Sequence, residues 1–387
     1  MIKIFETGDL HIGKNYADKN KHPKGKELAE KRLEAISNMV DYANRENCNL
    51  FAVTGDLFDK TNGVGKKRIS TVVEYLSNFK GTVAVLPGNH DYYSADTVPE
   101  VWRTFMDACE DRENIVLLNS FEPYELSIGD EEVVIYPAYC QIDTAPENNL
   151  WWIKELEIPA DGVYRIGMAH GAVQGQTIDK EGVYFLMEED ELNAIPVDVW
   201  LIGHTHVMFP NDLTTALKPA GKIFNAGTHV QTDVSTNTEG NCFIIEIDKD
   251  TSGKATVKAK KFVSGNIAFK RFEIHVKPDG SGTELRDEIR KAVAGLSPDT
   301  SVSFKIDGTV SREEYEQREN IYEEYLEGFF EHPHPDDKDL IELISEEFIK
   351  SEFSEVTFPA KLLMKLVDDP RKAQMAYDLL ISKECQV

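Results

Sequence analysis

Five short motifs in this chain are built from residue types that ligate metal ions. They are Gly8-Asp9-Leu10-His11, Gly55-Asp56-Leu57-Phe58-Asp59, Gly88-Asn89-His90-Asp91, Ala169-His170-Gly171 and Gly203-His204-Thr205-His206. Mixed imidazole, carboxylate and amide donors suit Mn²⁺, Fe or Zn²⁺ better than the all-oxygen cages of Ca²⁺ and Mg²⁺. A D-x-H or H-x-H pair in extended backbone puts both side chains on one face, because the strand period is two. Asp56 is the natural bridge, since a carboxylate has lone pairs enough for two cations. Two metals about 3.5–4 Å apart would clamp the attacking and leaving oxygens of an in-line phosphoryl displacement and acidify a bridging water to hydroxide. Any one of these residues alone is more often a turn cap or a satisfied histidine. Five such motifs in order are not a chance pattern.

Each motif follows a short apolar run, and those runs are the elements that must position it. Ile2–Phe5, Leu50–Val53, Val83–Leu86, Val133–Tyr136, Arg165–Ala169, Val199–Ile202 and Cys242–Ile247 read as strands of a largely buried sheet. Glu27–Glu46 has helical spacing through Leu28, Leu33, Ile36, Met39, Val40 and Ala43. Strand, helix and strand in alternation predict a layered α/β fold, with the later strands in a mixed second sheet. A residue just past a strand's C-terminal end projects into the crevice above the sheet, and the neighbouring glycines permit a tight turn there.

A boundary falls near Ser264-Gly265-Asn266. Beyond it, Lys270–Val276, Thr283–Ala294 and Ser301–Ile306 read as strand, helix and strand of a small α/β unit over 266–310. Residues 311–387 read as an acidic helical region, with helical spacing through Tyr322, Tyr325, Leu326 and Phe329 and two short helices at the end. The second of these starts at Asp369-Pro370, an acidic N-cap followed by proline at the first helical position.

The 387 residues carry a net charge of −26, which argues against a protein that grips nucleic acid over its whole surface. The charge is unevenly spread. Residues 311–355 hold sixteen acids and four bases, a net of −12, whereas residues 14–32 hold seven bases and three acids. Hydrophobic residues at 41% and charged residues at 28% exclude wholesale disorder. No apolar run approaches the ~18–20 residues that cross a bilayer, so no membrane is expected. Cys48, Cys109, Cys140, Cys242 and Cys385 form no CxxC pair, and Met1–Asp9 lacks the pattern of a signal peptide. These features predict a cytoplasmic protein with reduced cysteines that serve in packing.

The ordered set GDLH, GDLFD, GNHD, AHG and GHTH resembles the calcineurin-like metallophosphoesterase superfamily over residues 1–265. The resemblance implies a layered αββα sandwich, two mixed sheets flanked by helices, with a small α/β cap domain and a helical C-terminal tail. It implies two divalent metals, Mn first and Fe or Zn as alternatives. One would be held by Asp9, His11 and His206, the other by Asn89, His170 and His204, with Asp56 bridging. His90 matches the family's non-ligand catalytic histidine. Asp59 sits where the family pairs a carboxylate with that histidine, a pairing that would keep it protonated.

Lys60-Thr61 after Asp59, and Asp91 after His90, depart from the protein Ser/Thr phosphatases. Ile4–Gly13 and Phe224-Asn225-Ala226-Gly227-Thr228 resemble instead the DNA-repair exonucleases of the bacterial SbcD type. That subgroup implies a DNA exo- or endonuclease, a cap at 266–310 that helps hold DNA, and C-terminal helices that bind an SbcC-like coiled-coil ATPase. A homodimer through the phosphoesterase domain is also implied. The archaeal and eukaryotic members carry His at the position of Asp59, so a mechanism that needs that His does not transfer. The alternative on the same fold is a small-molecule or cyclic-nucleotide phosphodiesterase or phosphatase.

DNA would meet the basic residues that follow the first two motifs: Lys14, Lys60, Lys66, Lys67 and Arg68, on flexible loops beside the crevice. Tyr92, Tyr93 and Trp102 are candidates either for base stacking or for core packing. The apolar faces at Leu340–Ile349 and Leu362–Leu380 would either receive a partner helix or cover their own domain.

Overall fold

The computed structural model describes residues 1–17, 22, 24–175, 182–234, 238–278 and 280–382. The chain divides into two compact units, Met1–Lys19 with Gly25–Ala268, and Asn20–Lys24 with Phe269–Val387.

The first unit opens with β1 (Ile2–Thr7), α1 (Gly25–Arg45), β2 (Leu50–Val53), α2 (Lys66–Ser77), β3 (Thr82–Val85), α3 (Glu100–Cys109) and β4 (Ile115–Leu117). It continues through β5 (Tyr124–Ile128), β6 (Glu131–Ala138), α4 (Trp151–Lys154), β7 (Tyr164–His170), α5 (Glu189–Ala194) and β8 (Val199–Gly203). It ends with β9 (Lys218–Pro219), β10 (Ile223–Phe224), β11 (Asn241–Lys249) and β12 (Ala255–Val263). One sheet runs β4-β3-β2-β1-β11-β12-β9 and the other β10-β8-β7-β6-β5. β1 to β4 are parallel, β11 pairs antiparallel with β1, and β6, β7, β8 and β10 are parallel. This is the expected layered α/β fold, two mixed sheets with helices outside them.

Strand patterning explains the layering. β2 is buried along its whole length, as a central parallel strand covered on both faces must be. In β6 and β8 the side chains alternate between two cores. Val133, Ile135, Val199 and Leu201 face the first sheet, while Tyr136, Ala138, Trp200 and Ile202 pack with Trp152, Ile153 and Leu192 of α4 and α5. Burying both faces fixes the register, because a one-residue slip would exchange the two sets.

The second unit contains β13 (Ala268–Val276), α6 (Glu284–Val293), β14 (Thr300–Val310), α7 (Arg312–Leu326), β15 (Asp336–Glu342), α8 (Glu346–Glu352), α9 (Phe358–Leu366) and α10 (Pro370–Ile381). The acidic region is not wholly helical. β15 lies parallel to β14 in a three-stranded sheet, and Ile321, Tyr322, Leu326 and Leu340 share one core with Ile274, Leu285 and Ile306. Leu340–Ile349 is therefore not one apolar helical face. A run this short suits strand or helix equally until its neighbours are known. Only α8 to α10 form a helical tail, around Ile349, Leu363, Ala373 and Tyr377. Asp369 caps α10 through the Lys372 N–H, with Pro370 in the first turn, as expected.

Cys48, Cys109, Cys140 and Cys242 are free thiols, three of them buried, and Cys385 lies outside the described residues. No described helix is long and apolar enough to cross a membrane.

Candidate metal centre

The five motifs lie at or just beyond the C-terminal ends of β1, β2, β3, β7 and β8, and they meet. Asp9, His11 and His206 bring ligand atoms within 4.8 Å of one another, as do Asp9, Asp56 and His170. His11 Nε2 is 3.1 Å from His206 Nε2 and 3.7 Å from Asp56 Oδ2, while His206 Nε2 is 3.8 Å from Asp9 Oδ1. On the other side, Asn89 Oδ1 lies 3.0 Å from His170 Nε2 and 2.9 Å from His204 Nδ1. His170 Nε2 is 3.5 Å from Asp56 Oδ1. Asp56 thus stands between the two groups.

Local backbone places these atoms. Asp9, His11 and Asp56 all have φ near +50°, so the D-x-H pair stands in left-handed turns rather than in the extended backbone expected. Main-chain bonds from Asp9 N–H to Gly55 O (3.1 Å) and from His11 N–H to Asp56 O (2.9 Å) hold the two loops side by side. Gly55 has φ +100°, and a Cβ there would strike the His170 ring at 2.1 Å. A Cβ on Gly88 would meet Asp56 Oδ1 at 2.2 Å. These glycines admit the ligands as well as turning the chain. His170 Nδ1 donates to Thr54 O at 2.8 Å, which leaves Nε2 facing the centre.

Burial and neighbouring charges set the protonation of these side chains. Burial, reinforced by nearby Asp56, lifts the Asp9 carboxyl to about 7. Burial lowers His204 to about 3 and His206 to about 4, helped by neighbouring imidazoles, and pushes His11 well below its usual value. Against the cost of burial, the Asp56 charge raises His170 to about 9, and His170 in turn holds Asp56 far below the carboxylate range. With both rings held neutral, His11 Nε2 and His206 Nε2 lie 3.1 Å apart beside Asp9 and Asp56, where they can share a proton or offer lone pairs to one cation. The donor set fits divalent metals of borderline softness.

Asp59 stands between two rings. Its carboxylate lies 3.6 Å from His11 Nδ1 and within 4.8 Å of a His90 ring nitrogen, while His90 Nδ1 donates to the Asp59 main-chain carbonyl at 3.3 Å. The carboxylate acts electrostatically on His90 at that range. The His90 ring is exposed and edge-on to His11, and its main-chain N–H donates to Asp56 Oδ1 at 2.8 Å.

Lys60, Lys66 and Lys67 are exposed, but the last two, with Arg68, open α2 instead of lying on a flexible loop. Lys14 is half-buried, close enough to act electrostatically on Asp59 and His206. Lys19 and Lys21 lie outside the described residues, and Lys24 belongs to the second unit, its ammonium 5.3 Å from the Phe330 ring centre. Tyr93 and Trp102 are buried, the Trp102 indole donating to the Asp91 carbonyl, so they serve in packing. Sequence reasoning also missed Asp91, whose buried carboxylate accepts the Phe58 and Gly88 N–H groups at 2.9 and 2.7 Å. The signal was present in the fourth residue of GNHD. A cleft of about 490 Å³ lies elsewhere, at the N-terminal ends of β2, β3 and β4, and gathers mainly asparagines.

Residues 2–208 match the family model of the calcineurin-like phosphoesterases, more than half of the chain. The chain belongs to the calcineurin-like phosphoesterase family. Similar solved structures include a protein of Thermus thermophilus, at 12% identity over 66% of this chain and 97% of that one, with a TM-score of 0.39. A dimetal phosphatase from Danio rerio is 11% identical over 67% and 98%, with a TM-score of 0.36. A purple acid phosphatase from yellow lupin (Lupinus luteus) seeds is 11% identical over 67% and 53%, with a TM-score of 0.36.

Proposed function

We propose that this phosphoesterase is a dinuclear metal-dependent phosphodiesterase that cleaves DNA, of the SbcD-like type. The observation that carries the metal reading is the meeting of two donor groups at Asp56. Asp9, His11 and His206 would hold one divalent ion, Asn89, His170 and His204 the other, with Mn²⁺ the first candidate. Bound there, such ions supply Lewis acidity toward phosphoryl oxygens and acidify water.

The chain's own residues do the rest. His90, exposed and with Nδ1–H committed to the Asp59 carbonyl, would as the imidazolium give its Nε2 proton to the leaving oxygen and remain as the neutral ring. Asp56 fixes the His90 main chain, which couples the ligand and the acid. Lys60, Lys66, Lys67 and Arg68 support the DNA reading. Three of them crowd the first turn of α2, which has no acidic residue and no side-chain cap. The partial positive charge of that helix end adds to theirs and favours a phosphate. Val356, Phe358, Met375 and Leu379 expose apolar surface on the helical tail, which supports a coiled-coil ATPase partner there.

The test offers purified protein and Mn²⁺ linear and hairpin DNA, a bis-aryl phosphate and cyclic nucleotides, with His90→Ala as control. DNA cleavage that collapses in the variant is expected. Hydrolysis of the small diesters with no action on any DNA, even beside a candidate ATPase, would replace the nuclease by the small-molecule reading.

A further inference from the structure

Asp9 and His11 both hold left-handed backbone, at φ +52° and +45°, although neither is glycine. L-residues avoid that region, so the surrounding structure must impose it. Part of the restraint comes from the main-chain bonds to the loop after β2. Another part is the Thr228 hydroxyl, which donates to the Asp9 carbonyl at 3.1 Å. Between the two ligand residues, the carbonyl of the wholly buried Leu10 takes its donor from α1. Arg32 Nη2 reaches it at 2.6 Å.

Arg32 is only 2% exposed, and its guanidinium also hydrogen-bonds the Tyr16 hydroxyl, further along the same loop. Its own carbonyl accepts from His229 Nε2 at 3.2 Å, next to Thr228. The Asp59 carboxylate attracts this buried cation, which in turn depresses the basicity of His11 and His206 and repels any metal ion they would hold. For metal binding its use must therefore lie in geometry. A guanidinium offers several donors in a fixed fork, which a single ammonium cannot reproduce.

We propose that Arg32 is a positioning residue that locks the Asp9-Leu10-His11 turn through the Leu10 carbonyl, so that one of the two cation sites is preformed. This rests on the metal-centre reading above. Charge and geometry predict opposite signs for its removal, so the sign decides.

The experiment titrates Mn²⁺ into metal-free wild type, R32M and R32K, followed by electron paramagnetic resonance and calorimetry, with circular dichroism to establish folding. Wild type is expected to take up two ions. In R32M one affinity should fall by about tenfold or more, the range for lost support of a ligand, while the other changes little. R32K should fall between the two. With a bis-aryl phosphate, kcat should drop in R32M with KM nearly unchanged. Unchanged or tighter binding at both sites in a folded R32M would overturn the proposal. Should R32M not fold, unchanged affinity at both sites in R32K overturns it equally. Uptake of no ion by wild type would overturn the metal-centre reading itself, and this proposal with it.

Discussion

In the first unit, buried imidazoles and carboxylates converge on one another, whereas in the second unit the buried Glu314 and Glu331 carboxylates accept from separate donors. His11 and His206 set ring nitrogens 3.1 Å apart. Glu314, by contrast, accepts the Leu285 and Arg286 N–H groups at 2.8 and 3.0 Å, closing the first turn of α6 from α7. Glu331 accepts the Lys24 N–H at 2.8 Å and the Ser301 hydroxyl at 3.2 Å. Both arrangements bury polar groups, yet Glu314 and Glu331 are served by donors of the protein itself. A polar cluster that is costly by itself and coherent around a cation marks chemistry, while a satisfied one marks architecture.

Asp56→Asn is the strongest way to break this contrast. It should abolish two-ion uptake and lower diesterase activity by on the order of 10³-fold or more, about 4 kcal/mol in barrier. Near-normal kcat in that variant would end the idea that Asp56 joins the two groups. Glu314→Ala should act only on the other side of the comparison. Loss of a buried double acceptor should destabilise the second unit by about 2 kcal/mol in urea unfolding, with Mn²⁺ affinity unchanged.

The third prediction concerns pH. Metal binding requires the ionised Asp9 carboxyl, which burial holds at about 7. The His170 ring, raised to about 9, must lose its proton as well, so Mn²⁺ affinity should rise by about tenfold per pH unit up to about 9, and more steeply below about 7. The raised Asp9 value sets a sign for the metal-free protein. Asp9 contributes stability that is present below the unfolded carboxyl pKa and lost as pH rises through about 7. Metal-free thermal stability that gains from Asp9 across pH 5 to 8, judged against Asp9→Asn, would contradict this. The smallest effect is expected from Asp59→Asn, about tenfold or less in Mn²⁺ affinity, through a looser His11. A shifted acidic limb of the pH–rate profile with unchanged affinity would instead favour the Asp59–His90 pairing.

Much of this was legible in the chain. The strands before the motifs show because both their faces are buried, which leaves uninterrupted apolar runs. The Asp369-Pro370 start was legible because capping is local chemistry. β15 was not, since an edge strand with an exposed, acidic outer face has no pattern of its own until β14 is beside it. Lys66 to Arg68 looked like a loop for a related reason: the apolar face of α2 begins only at Ile69.

The sequence by itself determined which residues of ligating type stand in ordered motifs after strands, because ligand type and strand periodicity are properties of short segments. The tertiary structure decided how they meet. The Asp59 carboxylate lies near His11 as well as His90, and Asp9 and His11 stand in left-handed turns. Arg32, one base among seven in its stretch, is withdrawn into the core to hold a carbonyl between two ligands. Such contacts join segments far apart in the chain, and no local pattern encodes them.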